Sequence, residues 1–263
     1  MELRIFQIDA FATKVFRGNP AAVCPLEKWL EEDVLQAIAQ ENNLAETAFF
    51  VPSNGGFHLR WFTPRLEVDL CGHATLASAF VIFTELEPQR EAAEFASRSG
   101  PLYVRRNGDM LTMDFPTWPL RPLEQPPVAL LEGLGRAPRE LYSVTKGSNY
   151  FAVYNSQAEV VSLRPDFAKL EQLHPNGVIV TAPGDNSDCA SRYFAPSYGI
   201  PEDPATGSIH SALTPFWAKR LNKKSIHARQ VSQRGAELFC EDKGDRVLIS
   251  GQAIKYLEGK IYI

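Results

Sequence analysis

From Leu76 to Phe83 the chain reads Leu-Ala-Ser-Ala-Phe-Val-Ile-Phe, apolar around nearly the whole circumference that a helix would have. A helix of this kind is predicted to lie inside a core rather than on a surface. Upstream stands Arg60-Trp61-Phe62-Thr63-Pro64, a strand pattern ending in a proline-marked turn, followed by Cys71-Gly72-His73-Ala74-Thr75, with Gly72 opening the helix. The first turn of a buried helix directs unpaired N–H groups and the positive end of its dipole into the protein, a setting that suits an anion.

The same pattern returns in the second half. Arg192-Tyr193-Phe194-Ala195-Pro196 repeats the Arg-aromatic-Phe-x-Pro unit at an offset of 132 (192 − 60), and on that offset Cys71 falls opposite Asp203. The next apolar helix pattern carries Ile209, Ala212, Leu213, Phe216 and Trp217, and its start is predicted at Gly207-Ser208. Ser97-Arg98-Ser99-Gly100 and Ser232-Gln233-Arg234-Gly235 match at an offset of 135 (232 − 97), and Asn107-Gly108-Asp109 matches Lys243-Gly244-Asp245 at 136 (244 − 108). Upstream, Thr47–Pro52 pairs in pattern with Gly177–Pro183. Markers in one order predict a duplicated fold, with halves 1–116 and 117–251. The terminal strand, 252–263, is a candidate to return to the first half, where it would cover an edge.

The remaining pattern fills in the elements. Leu3–Ala10 alternates as a strand, and Phe16-Arg17-Gly18-Asn19-Pro20 is a tight turn leading back into apolar Ala21–Val23. Leu26–Glu41 has helical spacing, Asn54-Gly55-Gly56 signals a hairpin, and Phe57–Phe62 is its return strand. Five prolines between Pro116 and Pro127 predict an extended crossing that continues neither helix nor sheet. Helices are then expected at Val128–Leu134 and Phe167–Leu173, strands through Tyr142–Val153 and at Val178–Ala182, and two closing strands at Ala253–Tyr256 and Lys260–Ile263.

Composition narrows the function classes. With 44% apolar and 22% charged residues in 263, the chain is an ordinary globular protein with room for two cores. A net charge of −4, with no run of Lys or Arg, gives no footprint for nucleic acid. No apolar run is long enough for a membrane span, so none is expected, and Met1–Phe6 lacks the charged n-region and long h-region of a signal peptide. The cysteines Cys24, Cys71, Cys189 and Cys240 are scattered without Cys-x-x-Cys spacing, so free thiols in a reducing cytoplasm are expected and a zinc site is not.

The candidate chemistry is a set rather than a single residue. Glu46 sits at an apolar strand start, where burial would raise its pKa toward values useful for proton transfer; an edge glutamate reaching water fits equally well. Asn19 either reaches a ligand from its turn or satisfies the turn's own backbone. His73 alone reads as a capping or core histidine, and Asp203 alone as an N-cap before Pro204. Together, Glu46, His73 and Asp203 with the backbone of Gly72, Gly207 and Ser208 compose an acid/base group flanked by two helix starts that favour a carboxylate, in a cleft expected between the halves.

At Phe16–Val23, Asn43-Leu44-Ala45-Glu46-Thr47-Ala48-Phe49, Arg60–Pro64 with Cys71–Thr75, and Glu202–Ser208, the chain resembles the PhzF-like family of isomerases. The resemblance implies an α+β, diaminopimelate epimerase-like fold, two similar halves of mixed sheet each closing on a central helix. It implies an isomerase acting on a small carboxylic acid without cofactor or metal, and a homodimer. Glu46 then stands where the family has its proton-shuttling glutamate, and His73 and Asp203 where it has assisting groups. Gly72, Gly207 and Ser208 stand where it binds the carboxylate, and Asn19 lines the pocket. Ala45 departs from the phenazine enzyme's serine, which argues against the phenazine substrate itself. Two rivals are a two-thiol amino-acid racemase or epimerase on the same fold, disfavoured because no cysteine mirrors Cys71, and a non-catalytic binder of small acids.

Overall fold

A computed structural model describes residues 1–146 and 148–263; Gly147, within the stretch predicted as strands, lies outside the described residues. The chain divides into two compact units, Met1–Asp114 with Ser250–Ile263, and Phe115–Ile249.

In the first unit, β1 (Glu2–Ala10) pairs antiparallel with β2 (Asn19–Pro25) on one side and with the terminal strand Ala253–Tyr262 on the other. The terminal strand is continuous where two had been expected, since Leu257, Glu258 and Gly259 stay in register with Gln7, Phe6 and Ile5. A crossover helix, α1 (Glu32–Asn42), connects β2 to parallel β3 (Glu46–Ser53). It begins later than Leu26 because the acidic Glu32 and Asp33 occupy its first turn, where the helix dipole favours them. Leu26, Trp29 and Leu30 still pack with Leu35, Ile38, Phe49 and Phe62, which is why their spacing looked helical. The hairpin at Asn54-Gly55, both at positive φ, returns into β4 (Gly56–Phe62). β4 then pairs antiparallel with β5 (Glu67–Val68) and parallel with β6 (Ala92–Ala96). Between β5 and β6 runs α2 (Gly72–Val81), nine of whose ten residues are buried, as its apolar circumference requires. Antiparallel β7 (Leu102–Asn107) and β8 (Met110–Pro116) complete the series.

The second unit opens with β9 (Leu120–Pro122), which corrects the reading of the proline-rich span. Three residues there pair with β10 (Glu140–Val144), and Pro122 sits at the strand end where its missing N–H costs little. Helix α3 (Val128–Leu134) lies between them. β10 is antiparallel to β11 (Asn149–Val153). Two short helices follow, α4 (Gln157–Ser162) and α5 (Phe167–Glu171). α4 was not predicted, although Ser156-x-x-Glu159 is a capping-box signal, and the Ser156 hydroxyl accepts from the Glu159 N–H. β12 (Gly177–Pro183) is parallel to β11 and antiparallel to β13 (Cys189–Ala195). β13 is antiparallel to β14 (Ile200–Asp203) and parallel to β15 (Ser225–Gln230), with α6 (His210–Leu221) between these two. β16 (Ala236–Asp242) and β17 (Arg246–Gly251) follow, on either side of the hairpin that Lys243-Gly244-Asp245 signals.

The order of pairings from β1 to β7 is thus repeated from β10 to β16: antiparallel, parallel, antiparallel, a short antiparallel partner, a buried helix, and a parallel return. This is a diaminopimelate epimerase-like, α+β fold built from two similar halves. The repeated Arg-aromatic-Phe unit has a physical role in each. Arg60 on β4 donates to both carboxylate oxygens of Glu67 at 2.7 Å and 2.7 Å, with its guanidinium 5.0 Å from the Phe62 ring centre. Arg192 on β13 donates to both oxygens of Glu202 at 2.8 Å and 2.8 Å, and lies 4.8 Å from the Phe194 ring centre. Each clamp closes a long strand onto its short neighbour through a bidentate, charge-assisted pair. Among the described residues, no helix is long and apolar enough to cross a membrane.

Candidate active site

Glu46 is the first residue of β3, set there by the left-handed turn at Asn43 and by its register opposite Ala21. It is only 8% exposed, and among the two readings of this position the buried one holds. His73, the second residue of α2, is buried as well, and its Nε2 stands 3.1 Å from Oε2 of Glu46. Asn19 begins β2 and is fully buried, with its Nδ2 3.1 Å from Nδ1 of the same ring. Its side chain is therefore engaged by the histidine. Gly18 makes this possible: at φ +63° an added Cβ would lie 2.0 Å from the Ala10 carbonyl oxygen, so only glycine brings the chain round this tightly.

The imidazole is thus held from both sides. The Asn19 amide faces Nδ1 and the Glu46 carboxylate faces Nε2. Cys71 adds a third neighbour, its Sγ 3.4 Å from Nδ1 and 4.0 Å from Nε2. Burial pushes the His73 pKa down, but Cys71 and the Glu46 carboxylate push it up, and the net direction is well above the ordinary histidine value. Burial, reinforced by Glu46, pushes the Cys71 thiol up to about 11, so at neutral pH it is a protonated thiol. Donor atoms of Glu46, Cys71 and His73 all lie within 4.8 Å of one another, a juxtaposition that scattered cysteines had not suggested. Gly72, between Cys71 and His73, opens α2.

Asp203, Gly207 and Ser208 lie in the second unit. Asp203 is the last residue of β14 and does not cap α6, which begins at His210 rather than at Gly207-Ser208. The intervening residues form a tight turn, with the His210 N–H donating to the Gly207 carbonyl and the Ser211 N–H to that of Ser208. Gly207 is buried and Ser208 half-buried. The Thr206 hydroxyl donates to Oδ2 of Asp203. Gln230, at the end of β15, braces this turn: its Oε1 accepts from the Thr206 N–H at 2.7 Å, and its Nε2 donates to the Asp203 carbonyl at 2.7 Å. His210 is fully buried with Nδ1 2.9 Å from the Thr206 carbonyl, and burial pushes its pKa down to about 4, so it is neutral. Neither Gln230 nor His210 carried a local sequence signal.

The duplication is asymmetric at the chemistry. Thr47 pairs with Phe62, and Val178 pairs with Phe194, so Gly177 holds in β12 the position that Glu46 holds in β3. A Cβ at Gly177 would lie 2.3 Å from the Tyr193 hydroxyl and 2.7 Å from Asn149 Oδ1, which hydrogen-bond each other at 2.9 Å. Where the first unit keeps a carboxylate, the second is filled by a tyrosine.

Comparison with known proteins supports this architecture over the full length. A family model described as phenazine biosynthesis-like protein matches residues 8–259. An uncharacterized isomerase of Pseudomonas aeruginosa is 50% identical over 263 residues, covering 100% of both chains. The crystal structure of a phenazine biosynthesis protein of the PhzF family from Enterococcus faecalis superimposes with a TM-score of 0.95 at 46% identity, again over 100% of each chain. A hydroxyproline epimerase from Agrobacterium vitis shares the fold alone, with a TM-score of 0.61 at 9% identity over 99% of this chain and 92% of its own.

Proposed function

We propose that this chain, which belongs to the phenazine biosynthesis-like protein family, is a cofactor-independent isomerase that shifts a proton on a small carboxylic acid. Its relatives carry the name isomerase, and the finer reading rests on one observation: Glu46 and His73 are buried 3.1 Å apart at the head of a buried helix, with Asn19 on the far side of the ring. Glu46 takes the proton from an acidic carbon and returns it to another. His73 holds the charge that passes through the carboxylate, because its ring, with its pKa raised well above the ordinary histidine value, carries a proton beside Glu46. Gly72 at the start of α2 offers backbone N–H groups to the substrate carboxylate. In this reading Asp203 and the turn Gly207-Ser208 assist in orienting the substrate, Gln230 serves as the brace of that turn, and the active protein is a homodimer.

A symmetric two-thiol mechanism has less support. Cys71 is a protonated thiol, and Thr206, which precedes Gly207 as Cys71 precedes Gly72, stands in its place in the second half. Cys71 touches the His73 ring but takes no part in the proton transfer proposed here.

The test is a panel of small unsaturated and α-acidic carboxylic acids incubated with the protein in deuterated water, read by NMR and mass spectrometry. Solvent deuterium is expected in the product of at least one acid. Glu46→Gln keeps shape and hydrogen bonding but cannot ionise, and should lower turnover by about 10²–10⁴ with the fold intact. Wild-type turnover in Glu46→Gln, alongside inactive His73→Asn or Asp203→Asn, would move the base to another residue.

A further inference from the structure

We propose that Glu46, Cys71 and His73 also form a binding site for a thiophilic divalent cation, with zinc as the natural probe. Three different donor types converge there from three places in the fold: the first residue of β3, the extended residue before α2, and the second residue of α2. All three residues are buried, and their donor atoms lie within 4.8 Å of one another. The separations already approach those of a tetrahedral site. Sγ to Nε2 is 4.0 Å and Nε2 to Oε2 is 3.1 Å. A tetrahedron with metal–ligand bonds of about 2.0–2.3 Å has ligand–ligand edges of roughly 3.3–3.8 Å. The third separation, from Sγ to the Glu46 carboxylate, lies within 4.8 Å, and side-chain movement of up to about 1 Å closes the site.

A second observation points the same way. Oε2 of Glu46 is shut off from solvent and, despite the short approach of Nε2, has no aligned hydrogen-bond donor among the described residues. A buried carboxylate oxygen in that state is costly unless a cation or a substrate completes it. Charge balance fits a doubly positive ion. Glu46 contributes one negative charge, Cys71 becomes a thiolate on coordination and His73 binds as the neutral imidazole, their displaced protons passing to solvent, so the buried assembly is neutral. The thiolate and imidazole select zinc over the harder magnesium or calcium. With the metal on Nε2, the ring carries its proton on Nδ1, where a half-turn of the Asn19 amide presents its oxygen to receive it. That is the outer-shell contact which fixes a ligating histidine. Three protein ligands leave a fourth position for water or a substrate oxygen.

Binding stands on this geometry alone. Its consequence rests on the isomerase reading: the metal occupies the acid/base pair, so the loaded protein is silent and chelation restores it. The experiment uses the full chain freed of metal by a chelator. Equilibrium dialysis with zinc is expected to give one bound equivalent, and cobalt as the probe to give a thiolate-to-metal charge-transfer band with tetrahedral ligand-field absorption. Cys71→Ser should abolish that band and weaken zinc binding beyond the 10–100-fold of an outer-shell loss, while its metal-free thermal transition stays where the wild-type transition is. Cys24→Ser should change none of these. Equal zinc affinity in wild type and Cys71→Ser, or a cobalt complex without the charge-transfer band, overturns the site. The deuterium-exchange assay separates the two proposals. Loss of exchange on zinc addition, with Cys71→Ser resistant, supports both. Absence of exchange with an intact cobalt spectrum sinks only the isomerase reading.

Discussion

Gly177 and Glu46 hold the same position in the two halves of the molecule, each one residue before the strand pairing that ends opposite Phe194 and Phe62. One half of an ancient symmetry kept a carboxylate there and the other closed the space with Tyr193 and Asn149. The closure leaves no room for a side chain. Gly177→Ala is expected to destabilise the protein by about 1–3 kcal/mol through overpacking, seen as a lowered thermal midpoint. An unchanged midpoint would mean that the Tyr193 hydroxyl yields freely.

The arginine clamps differ in burial, and that sets their weights. Arg192 donates from Nη1 to the carbonyls of Val160 and Leu163, both at 3.1 Å, as well as to Glu202, whereas Arg60 shares itself between Glu67 and exposed Glu32. Arg192→Met should therefore cost more than Arg60→Met. About 2–3 kcal/mol is expected, below the 3–5 kcal/mol of a fully buried pair because Glu202 keeps some contact with water. Urea denaturation of the two variants provides the comparison.

His210 sets an acid limit on stability. Its pKa is about 4 in the folded protein, while the unfolded chain returns it to about 6.5. Below pH 6.5 the unfolded state binds the proton first, so stability falls as pH drops from about 6.5 to 4, by about 3 kcal/mol in all. His210→Gln should flatten that part of the pH profile, measured as the urea midpoint at pH 7 and at pH 4.5. A slope equal to wild type would assign the acid loss to other groups.

Asn19 is predicted to act through His73. Asn19→Leu removes the hydrogen bond at Nδ1 and frees the ring to exchange tautomers. Turnover should fall by about tenfold or more and its pH profile should shift, whereas a purely structural role would move the thermal midpoint and leave the profile in place. Asn19→Asp, which keeps the shape but puts a charged acceptor where the amide nitrogen faces Nδ1, distinguishes charge from shape.

Much of this organisation could be seen in the residue pattern because it is local. The buried helix is recognisable from its apolar circumference, the duplication from the repeated Arg-aromatic-Phe unit, and Glu46 from a carboxylate where a strand turns apolar. What escaped notice depends on distant chain segments. Gln230 braces Asp203 and Thr206 from 27 and 24 residues away, and no short window contains both partners. The start of α6 was placed at Gly207-Ser208 by analogy with Gly72-His73, but carbonyl contacts inside the turn delay it to His210. Cysteine spacing hid the proximity of Cys71 to Glu46, which arises only when β3, β4 and α2 fold against one another.

The terminal strand has a consequence for how the protein is made. Residues 253–262 pair with β1 along its length, yet they leave the ribosome after everything in the second unit. Phe115–Ile249 can therefore complete its sheet while the first unit still waits with one flank of β1 uncovered. During that interval the exposed edge can recruit any extended segment nearby, which makes the nascent first unit the aggregation-prone stage of synthesis. Slowing translation ahead of codon 253 should lower the soluble yield, and supplying the 253–262 segment as a peptide should recover part of it.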